Sequence, residues 1–515
     1  MTQARAGSIE HWAEVRPDHI ALVEGPRQLS WAELNQRANA FAHGLRALGI
    51  AAGDIVAVRT HIRIEWLVIA SAVSRLGCTM VGMNWRLTQA ETLHLLNNSR
   101  AVALICDDED LATAKACRAA QGLRFVVSID TPDAECVSYE SLLRTPGEPL
   151  YSQADPSLLI YTSGTTGLPK GVAVGQGNVD AQTVREYRES QEPAGAGAPD
   201  DGVQLVTMPM HHASGPNQMW AAVRKARKIV LMRRFEPEAA LAEMQAHRVT
   251  AWSAVPTMYK RIAGLPPEVV KRYDISSVKR VSVGAAPVPH ALKLWILEHF
   301  GRLSLQENYG STETSMVCSL SPDMQEKKPG ASGKPFRHVS IEVRSPEGTL
   351  LPAGEVGELW IKTPLTIRNY LNAPPLPADT LDARGFFRVG DVGYVDEDGY
   401  LFITDRTKDM VISGGVNIYP AEIEAVLMQH PAVQDVAVIG IPDDEFGEQV
   451  LAFCQLKAGQ GASVDELQAH AARQLASYKR PRRIELVNDL PRNTMGKVLK
   501  RELRAPYWQG KERQV

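Results

Sequence analysis

Residues 157–172 read SLLIYTSGTTGLPKGV. The short apolar run from Ser157 to Tyr161 leads directly into a turn that carries Gly164 and Gly167, with Lys170 and Gly171 behind it. Glycine allows backbone shapes that a Cβ forbids. The open amides, beside the hydroxyls of Thr162, Ser163, Thr165 and Thr166, suit phosphate oxygens. Lys170 adds a positive charge. The turn is not a Walker A loop: the glycine spacing before Lys170 is wrong for one, and Gly171 stands where Ser or Thr is required. Taken alone, the turn also fits a plain strand-to-helix connection.

Upstream, helix-like and strand-like segments alternate. Ser30 can cap a helix through AELNQRANAFAHGLRAL, whose apolar residues recur at helical spacing. IVAVRT follows as a strand, IRIEWLVIASAVSRLG as a buried helix, and MVGMN, VALICDD and LRFVVSID as further short strands. Such alternation predicts an α/β fold with a largely parallel sheet. Downstream, ESQEPAGAGAPDDG, residues 189–202, reads as an exposed mobile loop. The last hundred or so residues read as a separate, compact α+β unit. Pro420 opens one helix, VQDVAVIGI and QVLAFCQL are strands, Ser463 with Glu466 makes a capping box before a helix running to about Tyr478, and RRIELV is a final strand.

Size and composition set limits. A chain of 515 residues exceeds one ordinary core, so two or more domains are expected. Hydrophobic residues make up 44% and charged residues 22%, which excludes a disordered or fibrous chain. A net charge of −3 gives no long-range pull toward nucleic acid or anionic membranes. The six cysteines form no C-x-x-C pair and sit at no zinc-ligand spacing. The first fifteen residues, MTQARAGSIEHWAEV, lack the apolar core of a signal peptide, and the longest apolar stretch, Trp66 to Val73, is far too short to span a bilayer. A cytoplasmic location is expected.

The full string YTSGTTGLPKGV closely resembles the signature of the AMP-forming adenylate superfamily: acyl- and aryl-CoA synthetases, peptide-synthetase adenylation domains and luciferases. The resemblance covers nearly the whole chain, is strongest to bacterial acyl- or aryl-CoA ligases, and finds every further motif in family order. It implies a large N-terminal body of several subdomains over residues 1–405, a small mobile C-terminal domain over 406–515, and a hinge near 405–409.

What the resemblance implies for single residues follows motif by motif. Thr162, Ser163, Gly164, Thr165, Thr166, Gly167 and Lys170 would cradle the phosphates of ATP. In MPMHHASG, residues 208–215, His212 matches a gate beside the substrate carboxylate, whereas His211 reads as packing. In VGAAPVP, residues 283–289, Gly284, Ala285 and Ala286 would lie along the adenine. In ENYGSTE, residues 307–313, Tyr309 would stack on the base, Thr312 would bind the α-phosphate and Glu313 would hold Mg²⁺; Asn308, Gly310 and Ser311 complete the nucleotide wall. Glu307 departs from the Asn or Gln that many relatives carry, and a carboxylate there still accepts from the adenine amino group. In GDVGYVDEDGYL, residues 390–401, Asp391 would accept both ribose hydroxyls. In DRTKDMVISGGVNIYPAEIE, residues 405–424, Arg406 would touch the ribose, Lys408 would be the hinge pivot, and Gly414 and Gly415 would line the coenzyme A channel. In PRNTMGKVLKREL, residues 491–503, Lys497 matches the family's catalytic lysine.

The implied reaction has two halves: a carboxylic acid and ATP give an acyl-adenylate and pyrophosphate, and a thiol then gives the thioester and AMP. The acyl pocket is expected to draw on His212, Trp252, Val255, Gly284, Gly310 and Ser311, mostly small or apolar, which favours an aromatic or medium apolar acid. Trp252 equally fits plain core. An amino-acid substrate is disfavoured, because His211, His212, Ala213 and Ser214 offer no carboxylate for an ammonium group. Coenzyme A is the favoured thiol. The alternatives are a ligase that loads a carrier protein, a luciferase-like oxygenation, and a non-catalytic nucleotide-binding protein. YKRPRR, residues 478–483, fits coenzyme A phosphates, an acidic carrier surface or a solvated face. Family members are often homodimers. Pro374, Pro375 and Pro377 have no functional reading.

Overall fold

The computed structural model describes residues 4–152, 157–163, 169–175, 177, 179–191, 199–286, 288–302, 304–414, 416–493 and 496–509, with Ser163 by its backbone alone. Two large sheets form the body. The first has seven strands, in the order Val137–Ser138, Phe125–Ser128, Ala103–Cys106, Ile55–Arg59, Thr79–Gly82, Ser157–Ser163 and Pro169–Val174. All its pairs are parallel except the last. Its inner strands ALIC and FVVS are almost wholly buried, as sheets covered on both faces demand. The helix Ile64–Arg75 is buried nearly all round, in keeping with its apolar sequence. It packs against Trp31–Ala47, which starts at a capping box between Ser30 and Glu33.

The second sheet has nine strands, with a parallel centre that includes Val203–Val206, Ala251–Ala254, Arg280–Gly284 and Leu305–Ser311. A four-stranded antiparallel sheet, from Ser340–Arg344 to Leu401–Arg406, lies beyond it. The chain then builds a five-stranded sheet from Val411 to Val487, with the helices Pro420–Leu427 and Val464–Gln474. That last sheet has its own apolar core, which includes Val411, Ile423, Leu427, Val438, Ala452 and Leu467. The α/β class and the order of elements agree with the expectation.

Three local readings change. The glycine-rich segment does not join a strand to a helix: the strands on either side of it pair antiparallel, from Leu158 with Val174 to Ser163 with Pro169. The helix capped by Ser463 stops at Gln474, because Leu475 turns to extended backbone to bury its side chain, and Tyr478 is left exposed. The segment read as a loop from Glu189 begins inside the helix Ala181–Ser190, and Asp200 is held by a two-pronged contact from Arg227. Residues 192–198 lie outside the described residues.

Candidate active site

A continuous cleft of about 2000 Å³ runs where the two large sheets, the antiparallel sheet and the C-terminal unit meet. Thr162 and Lys170 enter it from the two strands that flank the glycine-rich turn. Gly164, Thr165, Thr166, Gly167 and Gly415, and the side chain of Ser163, lie outside the described residues.

The strand Leu305–Ser311 supplies the longest wall. Side chains alternate along a strand, and here the alternation sorts the expected contacts. Asn308 and Gly310 face the cleft; Glu307 and Tyr309 do not line it. Glu307 pairs instead with Lys293, both nearly buried. The two pull its carboxyl in opposite directions: burial raises its pKa more than Lys293 lowers it. Gly310 lies where the next strand shifts register, and a Cβ there would press into the backbone of Ser315 and Met316. Ser311, Thr312 and Glu313 continue the wall. Gly284 and Ala285 face the cleft, and Ala285 holds a left-handed φ of 64°, a costly backbone for a residue with a Cβ. Ala286 is not among the lining residues, and Val255 is buried in the apolar core. Trp252 borders the cleft, yet its ring is 1% exposed, lies near Phe235, Tyr259 and Phe300, and its Nε1 donates to Thr207 Oγ1 at 3.1 Å. It behaves as core.

Two carboxylates are fixed before any ligand arrives. Asp391 is 5% exposed. Its Oδ2 accepts from the Tyr309 hydroxyl at 2.6 Å, and its Oδ1 lies 3.1 Å from Arg406 Nε. Burial first, then Asp391, raise the Tyr309 phenol well above its usual range, so it stays a donor. Glu313 Oε1 accepts from Thr162 Oγ1 at 3.4 Å and from the Tyr370 hydroxyl at 3.2 Å. Burial, then Glu313, likewise raise the Tyr370 phenol. The Lys170 ammonium stands 5.0 Å from the centre of the Tyr370 ring, on its face.

Arg406, Lys408 and Lys497 all line the cleft. Burial, then Arg406 and Lys408, push Lys497 down to about 7, against the opposing pull of Asp391 and Asp409. Burial, then Arg406, also lowers Lys408. Lys497 sits on a tight turn: its N–H donates to Asn493 Oδ1 at 2.9 Å and its carbonyl accepts from Asn493 N at 2.9 Å. Gly496 before it holds φ 72°, and a Cβ there would fall well inside contact with Thr257. Gly414 is not among the lining residues; its N–H donates to the Phe446 carbonyl at 2.8 Å.

His211 and His212 also line the cleft. Burial holds His212 below its usual range, and its Nδ1 lies 3.1 Å from Ser214 Oγ. Burial, then His212 and Arg86, push His211 down to about 3. Both rings are therefore neutral at pH 7.

Sequence reasoning missed Tyr370, a further donor to Glu313. Its neighbours gave the available signal: Pro374, Pro375 and Pro377, which had no role, line the same cleft. Leu371 N donates to the Gly171 carbonyl at 2.8 Å, which ties this wall to the glycine-rich hairpin.

The chain is similar to known proteins along nearly its whole length. The family described as "AMP-binding enzyme" matches residues 9–371, and "AMP-binding enzyme C-terminal domain" matches residues 422–497. Feruloyl-CoA synthase from Amycolatopsis sp is 35% identical over 498 residues, covering 96% of this chain and 97% of its own. The fatty acid–[acyl-carrier-protein] ligase ScoC from Streptomyces coeruleorubidus is 34% identical over 514 residues, covering 98% and 96%. The solved o-succinylbenzoate CoA synthetase MenE from Bacillus subtilis, in complex with its acyl-adenylate intermediate, superposes with a TM-score of 0.81 at 29% identity, covering 98% of each chain.

Proposed function

We infer from one premise, that the chain belongs to the AMP-binding enzyme family, that it is an ATP-dependent carboxylic acid–CoA ligase. The observation that carries the reading is Lys497, held on a braced turn inside a cleft that also presents Asp391 and Glu313. The conjunction supplies a ribose anchor, a carboxylate for a metal ion and a cation for the reacting anions.

In the first half-reaction a carboxylate oxygen attacks the α-phosphorus of ATP, and the bond to pyrophosphate breaks. Both reactants are anions, so their approach needs a fixed positive field. Lys497 and Lys170 supply charge, and the Thr312 hydroxyl donates toward the α-phosphate. Asp391 has about four lone-pair sites; Tyr309 and Arg406 use two and fix the carboxylate, and the rest accept from the ribose hydroxyls. Glu313 and the Thr162 hydroxyl are hard oxygen donors that fit Mg²⁺, which when bound neutralises phosphate charge. The neutral His212 closes the acyl end without adding charge beside the carboxylate.

In the second half-reaction the coenzyme A thiol attacks the acyl carbonyl. A C–S bond forms, the C–O bond to AMP breaks, and the thiol proton leaves to solvent. We assign this step to a second arrangement, reached by rotation about Lys408, in which Lys497 withdraws and the segment of Gly414 enters. Lys497 inside the cleft and Gly414 outside it support assigning the present arrangement to the first step.

Two neutral histidines and small side chains at the acyl end support an aromatic or medium apolar acid, the class that the name feruloyl-CoA synthase carries for its own bearer. The carrier-protein alternative has ScoC on its side. The basic block 478–483 adds little to it: Lys479 is paired with Glu422 and Arg483 with Glu485. Free thiols at all six cysteines, five of them buried, support a reducing, cytoplasmic setting. Lys497→Ala separates the half-reactions. Adenylate formation should fall by about a hundred- to a thousandfold, the scale of a lost transition-state charge contact, while thioester formation from supplied acyl-adenylate persists. Equal loss of both contradicts the two-arrangement reading.

A further inference from the structure

The helix Pro256–Ala263 lies in the body, at the foot of the turn that carries Lys497. It meets the C-terminal unit at two points one helical turn apart. Thr257 abuts Gly496, which leaves no room for a Cβ there. Lys260 Nζ lies 3.2 Å from Asp435 Oδ1, on the strand Val433–Asp443. Residues three apart share a helix face, so both contacts point the same way.

The contact at Lys260 does not stop at Asp435. The other carboxylate oxygen of Asp435 accepts from Arg492 Nη2. Arg492 Nη1 in turn donates to the Gly496 carbonyl at 2.8 Å. Asp435 is thus shared between one cation of the body and one of the Lys497 turn, and the line Lys260–Asp435–Arg492–Gly496 ends one residue from Lys497. Asp435 is 14% exposed at its side chain, Arg492 24% and Lys260 26%, so solvent screens the line only in part.

We infer that Lys260 is a positioning residue for the first half-reaction: through Asp435 and Arg492 it docks the turn that carries Lys497 into the cleft. The inference rests on the ligase reading above. Three of the four members travel with the C-terminal unit, and Lys260 stays with the body. A bridge across a moving boundary forms only in the arrangement that brings its ends together. Here that arrangement puts Lys497 in the cleft. The bridge therefore favours adenylate formation and is broken during thioester formation, where it contributes nothing. Lys260 touches neither substrate nor cofactor in this scheme.

The test compares Lys260→Met, Lys260→Arg and Asp435→Asn with the wild-type enzyme. ATP–pyrophosphate exchange with a cognate acid should turn over about fivefold more slowly in Lys260→Met and Asp435→Asn, the scale of one partly exposed charge pair. The KM for ATP and thioester formation from supplied acyl-adenylate should stay within about twofold of wild type, and Lys260→Arg should restore exchange, since it keeps the charge. A second readout needs no activity. In ligand-free enzyme, amide hydrogen exchange in peptides spanning residues 491–499 should quicken in Lys260→Met and return in Lys260→Arg. Unchanged hydrogen exchange in that turn, or an equal loss of both half-reactions, overturns the inference. A wild-type enzyme that releases no pyrophosphate would sink the ligase reading alone, because the hydrogen-exchange arm still decides the docking role.

Discussion

Raising the pH above 7 should weaken capture of ATP well before any ordinary lysine titrates. Lys497 sits at about 7 rather than near 10.5, because burial and the neighbouring cations Arg406 and Lys408 disfavour its charged form. The sign follows. Below pH 7 the free enzyme holds Lys497 as an ammonium; above it the amine is neutral and offers no charge to the triphosphate. kcat/KM for ATP reports the free enzyme, so it should fall about fivefold from pH 7 to 8 and nearly tenfold more to pH 9. Bound phosphates reverse the local field and pull the ammonium back. kcat should therefore hold to higher pH than kcat/KM, and ATP binding at pH 8 should take up close to one proton. Pyrophosphate release at a saturating acid, followed from pH 6 to 9, gives both profiles. Titration calorimetry in buffers of different ionisation enthalpy counts the proton. Lys497→Arg keeps the charge throughout this range and should lose the basic limb of kcat/KM. A wild-type kcat/KM that stays flat from pH 7 to 9, or a limb that survives in Lys497→Arg, refutes the reasoning.

Two further outcomes follow from the fixed carboxylates. Tyr370→Phe removes one donor to Glu313 Oε1 but leaves the ring beneath Lys170, so the carboxylate loses orientation and the cation keeps its face. Half-saturation by Mg²⁺ should rise about tenfold, the scale of one hydrogen bond to a charged group, with kcat at saturating Mg²⁺ changed less than about threefold; an unmoved Mg²⁺ curve argues against a positioning role. Lys293→Met strands the buried Glu307 carboxylate. It should lower urea stability by about 3 kcal/mol, and pairing it with Glu307→Met should recover most of the loss; a double variant no more stable than the single one contradicts this.

Much of the site was legible because its signals are local. The glycine-rich turn, the GSTE stretch and the GK pair each lie in a few consecutive residues, and the structure brings Thr162, Lys170, Thr312, Glu313, Asp391 and Lys497 to one cleft. The cap at Ser30 and the capping box at Ser463 marked helix starts for the same reason. What escaped needs the fold. Glu307 meets Lys293 from a helix that no spacing links to it. Tyr370 reaches Glu313 across 57 positions, and Lys260 reaches Asp435 across 175. The early helix end after Gln474 depends on where Leu475 finds apolar company, which a capping motif at the other end does not encode.

The central claim is tested most directly by pyrophosphate release with Mg-ATP over a panel of aryl, medium-chain and long-chain carboxylic acids, with and without coenzyme A, and with products read by mass spectrometry. The expected result is release that depends on an aromatic or medium apolar acid, grows with coenzyme A, and leaves the matching acyl-CoA and AMP. Acid-dependent release with no acyl-CoA, but with acylation of a supplied holo-carrier protein, would contradict the coenzyme A assignment in favour of the carrier-protein ligase. No acid-dependent release across the panel would contradict the ligase itself.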